Sequence, residues 1–294
     1  MCIVFIHPCF CNDESLRALG GQVLVMNPKQ IANFKKSYSD MDKTDEIDAF
    51  VIADYLRFGR LPMSVVKEEQ YVALQQLTRA RYQIVRQITQ EKQRSLQYLS
   101  YKCNTFTEEV ESSVFGKAMM DLFFENYSLE ELSQMPLEDL ADYLQSKGKN
   151  RFPDPKHVAK SIQKAVRSSY RLDKVVEDSI DTILSTSITL IRTFEKQIKE
   201  LDKSIKRIMK GVPQTLQTIP GIGPVFTAGI IAEIGQIDRF DDETKIAKYA
   251  GLYWRKHQSG RFTADDTSLS RNGNQYLRYY LVEAANSVRK EPSS

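Results

Sequence analysis

"KTDEIDAFVIADYLRFGRLP", residues 43–62, sets two aspartates, Asp45 and Asp48, three positions apart at the start of a helical pattern. At about 100° per residue, such a pair shares one side of a helix, about 60° apart. Glu46, Asp54 and Arg57 cluster on the side expected to face water, which leaves Asp45 and Asp48 beside Ile52 and Leu56. Ionised carboxylates among apolar groups are costly unless paired, and two neighbouring ones repel, so a divalent cation is one natural partner. The other reading is plainer: both acids sit in the first turn and favour the helix dipole. Spacing alone leaves both open.

Working outward, the 294 residues suffice for two or three domains, and 41% hydrophobic with 27% charged residues describes a chain with a real core. No apolar run reaches the roughly 18 residues that would span a membrane. The opening MCIVFIHPCF is apolar but lacks a basic leader and a cleavage site, so it is a poor signal peptide, and a cytoplasmic location is expected. Cysteines 2, 9, 11 and 103 lack zinc-type spacing, and three histidines (7, 157 and 257) do not suggest a His-rich metal site. Net charge is +3, but residues 203–294 hold fourteen Lys/Arg against nine Asp/Glu, the balance of a nucleic-acid contact region or of an ordinary solvated domain.

Residues 16–28 read as a helix end, a Gly-Gly break and a strand over Val23–Met26, and residues 29–37 as a short helix. One or two strands close no sheet, so the amino-terminal domain reads as an incomplete α/β unit. Residues 68–102 form a long helical pattern with Leu74, Leu77, Arg81, Ile84/Val85, Ile88, Ser95 and Leu99 recurring at threes, fours and one seven. Residues 70–102 carry six Lys/Arg (79, 81, 86, 92, 94 and 102) and one acid, Glu91, which suits a phosphate backbone or the solvated face of a coiled coil. Residues 104–170 read as an all-helical insertion, with a capping box at Ser128–Glu131 and a helix from Pro136 to Gly148. Residues 171–210 give a second long helix with Val176, Ile180, Ile183, Leu190, Phe194, Ile198, Leu201, Ile205 and Ile208 at near-heptad spacing, a core or dimer seam.

"TIPGIGPVFTAGIIAEIG", residues 218–235, has the pattern of a helix-hairpin-helix. Gly221 and Gly223 permit a tight turn whose free N–H groups at a helix start suit a phosphate, or serve the turn alone. Ser259-Gly260 follows in a polar turn with Arg255, Lys256, His257 and Arg261 close in sequence. Such cations could ease the development of a serine alkoxide or hold a phosphate, although Ser-Gly by itself is only a turn. A turn at Asn272-Gly273, next to Arg271, precedes a final amphipathic helix.

In order along the chain, "VLVMNP", "KTDEIDA" with "YLRFGRL", "IPGIGPVFTAGIIAEIG", "RFDDETKIAKYAGL", "QSG" and "RNGNQYLRYYLVEAA" together resemble the transposases of the insertion sequence 110 family. The resemblance implies a mainly α chain with a partial α/β amino terminus: an RNase-H-like (RuvC-like) domain over 1–65, coiled-coil helices with the helical insertion over 66–212, and a transposase domain with the helix-hairpin-helix over 213–294. It also implies a DEDD set of four acids binding Mg2+, closed here by Asp45 and Asp48, and a catalytic Ser259 that attacks a DNA phosphate. Expected partners are DNA, a structured guide RNA held by shape and backbone, and further copies of the chain, as dimer or tetramer through the coiled coil. Arg79, Arg81, Arg86, Gly221, Gly223, Arg255, Lys256, Arg261 and Arg271 are the expected nucleic-acid contacts. The chain departs from the family at its start: the first acid, in an Asp-Val-Ser-Lys type of strand, and the Glu before a Thr-Gly turn are both missing, while Asp13 and Glu14 stand in a different context. Truncation is the expected explanation. An inactive chain that keeps only nucleic-acid binding or subunit association is the alternative, and a helical scaffold is a third.

Overall fold

Why these residues form a helical molecule follows from the two long periodic segments, and the computed structural model bears this out. It describes residues 2–5, 22–25, 28–38, 41–59, 68–254, 258–259, 262–263 and 268–290. The chain divides into two units, Met1–Lys67 and Glu68–Ser294.

In the first unit, β1 (Cys2–Phe5) and β2 (Gln22–Val25) pair in parallel, Ile3 opposite Val23. The opening stretch, read from sequence only for its leader potential, contains a strand of this pair. Helices α1 (Pro28–Lys35) and α2 (Asp45–Arg57) follow. Thr44 caps α2 by accepting from the Ile47 N–H, and Gly59 beyond its end adopts φ 68°. The two helices pack through Ile31, Phe34 and Tyr38 against Ile47, Val51 and Tyr55.

That packing corrects the expected facing of α2. Its buried centre is Val51, at 0% exposure, rather than the Ile52–Leu56 edge. Asp48 lies about 60° from Val51 and Asp45 about 120°. Asp48 is therefore half-buried and Asp45 exposed. Asp54, expected to face water, lies about 60° to the other side of Val51, and its side chain is only 13% exposed.

The second unit is built on α3 (Glu69–Lys102) and α9 (Lys174–Met209). They run antiparallel within one chain: Arg81 of α3 meets Asp202 of α9, and Lys102 meets Asp181. The residues between them form α4 (Phe106–Glu109), α5 (Lys117–Met120), a π-helical turn (Asp121–Asn126), α6 (Leu129–Gln134), α7 (Leu137–Gly148) and α8 (Pro155–Ser168). The Ser128–Glu131 capping box is present at the start of α6. Leu122, Phe123, Leu132, Leu140, Leu144 and Ile162 of this insertion form one core with Leu99 of α3 and Leu184 and Ile188 of α9. Because α9 must cover this insertion, its buried face runs through Ile180, Leu184, Ile188 and Ile191. Val176 and Leu190, expected in the apolar seam, are exposed instead.

The chain then makes one 3-10 turn (Leu216–Thr218), α10 (Pro224–Ile234), a second 3-10 turn (Ile237–Arg239), α11 (Glu243–Ala250), the strands β3 (Gln258–Ser259) and β4 (Phe262–Thr263), and α12 (Gln275–Val288). The first arm of the expected hairpin is thus a single 3-10 turn, because Pro213 and Pro220 bracket a segment too short for a helix.

Candidate functional site

Helix α10 is the pivot of the second unit. Pro224 at its first turn and Gly235 (φ 67°) past its end delimit it. Its small residues let neighbours approach closely. Ala228 and Ala232 pack on Leu74, Ile205 and Met209, while Gly229 lies under the ring of Tyr280. Tyr280 is fully buried, and its hydroxyl donates to the Thr78 carbonyl at 2.8 Å. Burial pushes the Tyr280 phenol well above its ordinary range, so it stays a donor.

An acid stands on this apolar helix. Glu233 is 0% exposed, and three side chains from two elements converge on its carboxylate. Arg79 of α3 donates from Nε at 2.7 Å and from Nη2 at 2.8 Å, Gln75 donates at 2.9 Å, and Asn274 donates from Nδ2 at 2.7 Å. The forked guanidinium matches the carboxylate. Burial opposes the Arg79 charge, but the hydrogen bonds and charge of Glu233 outweigh it and hold the guanidinium above its ordinary pKa. The Tyr276 ring lies 4.6 Å beneath the same guanidinium.

Asn274 connects this network to the Ser259 segment. Its Oδ1 caps α12 by accepting from the Tyr276 and Leu277 N–H groups, and its backbone N–H donates to the Tyr249 carbonyl at 2.7 Å. Arg278 donates to the carbonyls of Ala250 and Arg271, and Arg271 N–H donates to the Gly251 carbonyl. Gly273 lies against the backbone of Tyr249 and Gly251 so closely that an added Cβ would stand 2.5 Å from Gly251 N. Both ends of the segment between Gly251 and Arg271 are therefore held together. Trp254 and Leu269 bridge in antiparallel fashion, and farther out Ser259 pairs with Phe262. Ser259 thus belongs to the backbone of a short hairpin rooted on α11 and α12. Its side chain, and Arg255, Lys256 and Arg261, lie outside the described residues.

The remaining expected contacts separate into engaged and open groups. Arg79 is bound to Glu233, Arg81 to Asp202 at 2.6 Å, and Arg94 to Glu91 at 2.6 Å; Lys102, 3% exposed, is bound to the Phe123 carbonyl and Asp181. Four of the six cations counted on this helix thus have partners inside the fold. Arg86 is exposed, with its guanidinium 5.9 Å from the Tyr82 ring and no ion pair among the described residues, and Arg271 is exposed with φ 52°. Gly221 (φ 87°) packs on α12, where an added Cβ would lie 2.9 Å from Val288 Cα, whereas Gly223 has open space around it. A Gly221→Ala chain is therefore expected to lose about 1–3 kcal/mol of stability, and Gly223→Ala much less, by chemical denaturation.

In the first unit, Asp48 Oδ1 accepts from Lys35 Nζ at 2.6 Å, and the same Lys35 donates to the Asp42 carbonyl. Asp54 accepts from the Tyr38 hydroxyl and from Arg57, and these bonds hold its carboxyl below the usual range. Among the described residues no group of three His, Cys, Asp or Glu side chains could hold a metal ion. An exposed Asp45 and a lysine-paired Asp48 do not amount to a cation cage. Asp13 and Glu14 lie outside the described residues.

Sequence reasoning missed Glu233, Asn274 and Arg278. Asn274 had a readable signal, an Asn immediately before an amphipathic helix. Glu233 had a weaker one, a lone acid in an apolar run.

Two family models match the chain. One describes a transposase of the DEDD insertion-sequence-110 type over residues 13–103. The other is described as "Transposase IS116/IS110/IS902 family" and covers residues 213–294. The "Insertion element IS116 uncharacterized 44.8 kDa protein" of Streptomyces clavuligerus is 24% identical over 285 residues, spanning 94% of this chain and 69% of that protein. The "Transposase for insertion sequence element IS1111A" of Coxiella burnetii is 31% identical over 75 residues, 26% of this chain and 20% of that protein. The first model includes Asp45 and Asp48, and the second includes Glu233, Ser259 and Asn274.

Proposed function

Because the chain belongs to the insertion-sequence transposases of the IS116/IS110/IS902 family, we propose that it cleaves and exchanges DNA strands with Ser259 as its nucleophile. The observation that carries this reading is the placement of Ser259: the second family match contains it, and its hairpin springs from a segment tied at both ends to a buried polar network. In the proposed step, the Ser259 oxygen attacks a backbone phosphorus. A Ser–O–P bond forms, the P–O bond to the departing deoxyribose oxygen breaks, and the serine proton ends on that oxygen. A free DNA hydroxyl reverses the process at the new junction and restores the serine.

We read Asp45 and Asp48 as the closing pair of the DEDD-type acid set that the family resemblance implies, where Mg2+ would supply electrostatic stabilisation of phosphate oxygens. The two carboxylates present do not fit a cation by themselves, so no step is assigned to a metal. An RNase-H-like first unit, a helix-hairpin-helix at the Gly221–Gly223 turn, subunit association through α3 and α9, and a structured guide RNA belong to the same reading. Among the described residues no helix is long and apolar enough to cross a membrane.

One observation favours a second reading, a chain that binds DNA without cutting it: Asp48 is neutralised by Lys35, and no third ligand accompanies it among the described residues. A strand-transfer assay on wild type, Ser259→Ala and Asp48→Asn separates the two. The nuclease reading expects a covalent protein–DNA adduct from wild type, none from Ser259→Ala, and at least a hundredfold lower exchange for Asp48→Asn, on the order of losing a catalytic group. Equal behaviour of all three chains supports the binding-only reading.

A further inference from the structure

Helices α3 and α12 leave a groove of about 500 Å3 between them, lined by Tyr82, Arg86, Gln90 and Gln93 of α3 and by Tyr279 and Glu283 of α12. The four α3 residues recur at threes and fours and so form one ridge. The Tyr82 ring is fixed by edge contacts to Tyr279 at 4.7 Å and Tyr276 at 5.2 Å. Arg86 is exposed, its guanidinium 5.9 Å from the Tyr82 ring, with no ion pair among the described residues. Gln90 and Gln93 are exposed and make no hydrogen bond among the described residues. This contrasts with the same helix one turn earlier, where Arg79 and Arg81 are consumed by Glu233 and Asp202.

Each of these groups matches one part of a nucleotide. An oriented aromatic ring stacks on any base. Free amides offer donor and acceptor together, which is the pattern of a base edge. A guanidinium grips phosphate. Glu283 can accept from an exocyclic amino group and repels phosphate, which places the phosphate at the Arg86 side. A paired base hides its faces in the helical stack, so only an unpaired one can use the ring. The geometry points to this groove as a seat for an unpaired nucleotide of a DNA strand, its base against Tyr82 and Tyr279 and its phosphate on Arg86. The inference rests on the DNA-acting reading above and names the form of DNA the second unit engages.

The test is fluorescence anisotropy of the full chain with a labelled single-stranded DNA of about 16 nucleotides, its duplex, and an RNA of the same sequence. Tyr82→Leu is expected to weaken single-strand binding about five- to a hundredfold, with duplex binding within twofold of wild type. Tyr82→Phe keeps the ring and should match wild type. Should Tyr82→Leu fold poorly by circular dichroism, the exposed triple change Arg86→Ala, Gln90→Ala, Gln93→Ala carries the same expectation. Three results overturn the proposal: unchanged single-strand affinity, a parallel loss on duplex, or tighter RNA than DNA binding with the same Tyr82 dependence. A wild type that binds no DNA at all sinks the functional reading too, whereas binding that ignores these substitutions removes this inference alone.

Discussion

Replacing Glu233 by alanine should cost the second unit about 3–5 kcal/mol of unfolding free energy, and chemical denaturation followed by circular dichroism reads the loss directly. The cause is the residue left behind. Glu233 is wholly buried and satisfies Arg79 twice, Gln75 once and Asn274 once. Its removal leaves a half-buried guanidinium and two amides facing a cavity, and orphaned polar groups cost more than the bonds themselves contribute. Glu233→Gln keeps the shape but not the charge, and should fall between wild type and Glu233→Ala. The double change Arg79→Met with Glu233→Met removes both charges and is expected to recover much of the loss, since buried ion pairs gain little over apolar packing. If the double change is as damaging as the sum of the single ones, the network does not act as a unit. Because the cap of α12 shares Asn274 with this network, Glu233→Ala should also lower DNA exchange at temperatures where the chain remains folded.

The second large effect is expected at Gly229. A Cβ there would stand 2.4 Å from the Tyr280 ring. The ring has little room to retreat, because its hydroxyl is anchored on the Thr78 carbonyl of α3. Alanine gains up to about 1 kcal/mol of helix preference over glycine, and an overpacked core loses about 1–3 kcal/mol and occasionally more. With a clash this deep we expect Gly229→Ala to lose about 2 kcal/mol net, and Gly229→Val more. Combining Gly229→Ala with Tyr280→Leu should cost less than the two separately, a coupling visible in a double-mutant cycle. Strict additivity would show that the ring is not what the new methyl group meets.

These two sites show what the sequence carries and what it hides. The long helices α3 and α9 were legible because apolar residues recur at helical spacing for more than nine turns. The Ser128 capping box was legible because its chemistry is local. Strand β1 was not, since four apolar residues carry no period that separates strand from helix. The facing of α2 was misread for a related reason. Ile47, Val51 and Ile52, Leu56 offer two apolar edges, and the contact with Ile31 and Phe34 of α1 selects the first. In α9 the insertion core, rather than the heptad pattern, decides which apolar side chains are covered. The Glu233 network joins residues more than a hundred positions apart, and nothing in the run "AGIIAEIG" announces Arg79 as its partner. The expectation for the acid pair and the serine came only through the family resemblance, because neither an i, i+3 pair of aspartates nor a Ser-Gly turn is distinctive by itself.

One amide has two jobs that compete for chemistry. Asn274 accepts with its oxygen to start α12 and donates with its nitrogen to a buried anion. Serine or threonine could begin the helix but could not reach as far with a second donor. Aspartate, the closest isostere, would begin it well and set a negative oxygen about 2.7 Å from another. Hydrolysis of that side chain would make the same exchange without any mutation, and would thereby loosen the footing of the Ser259 hairpin.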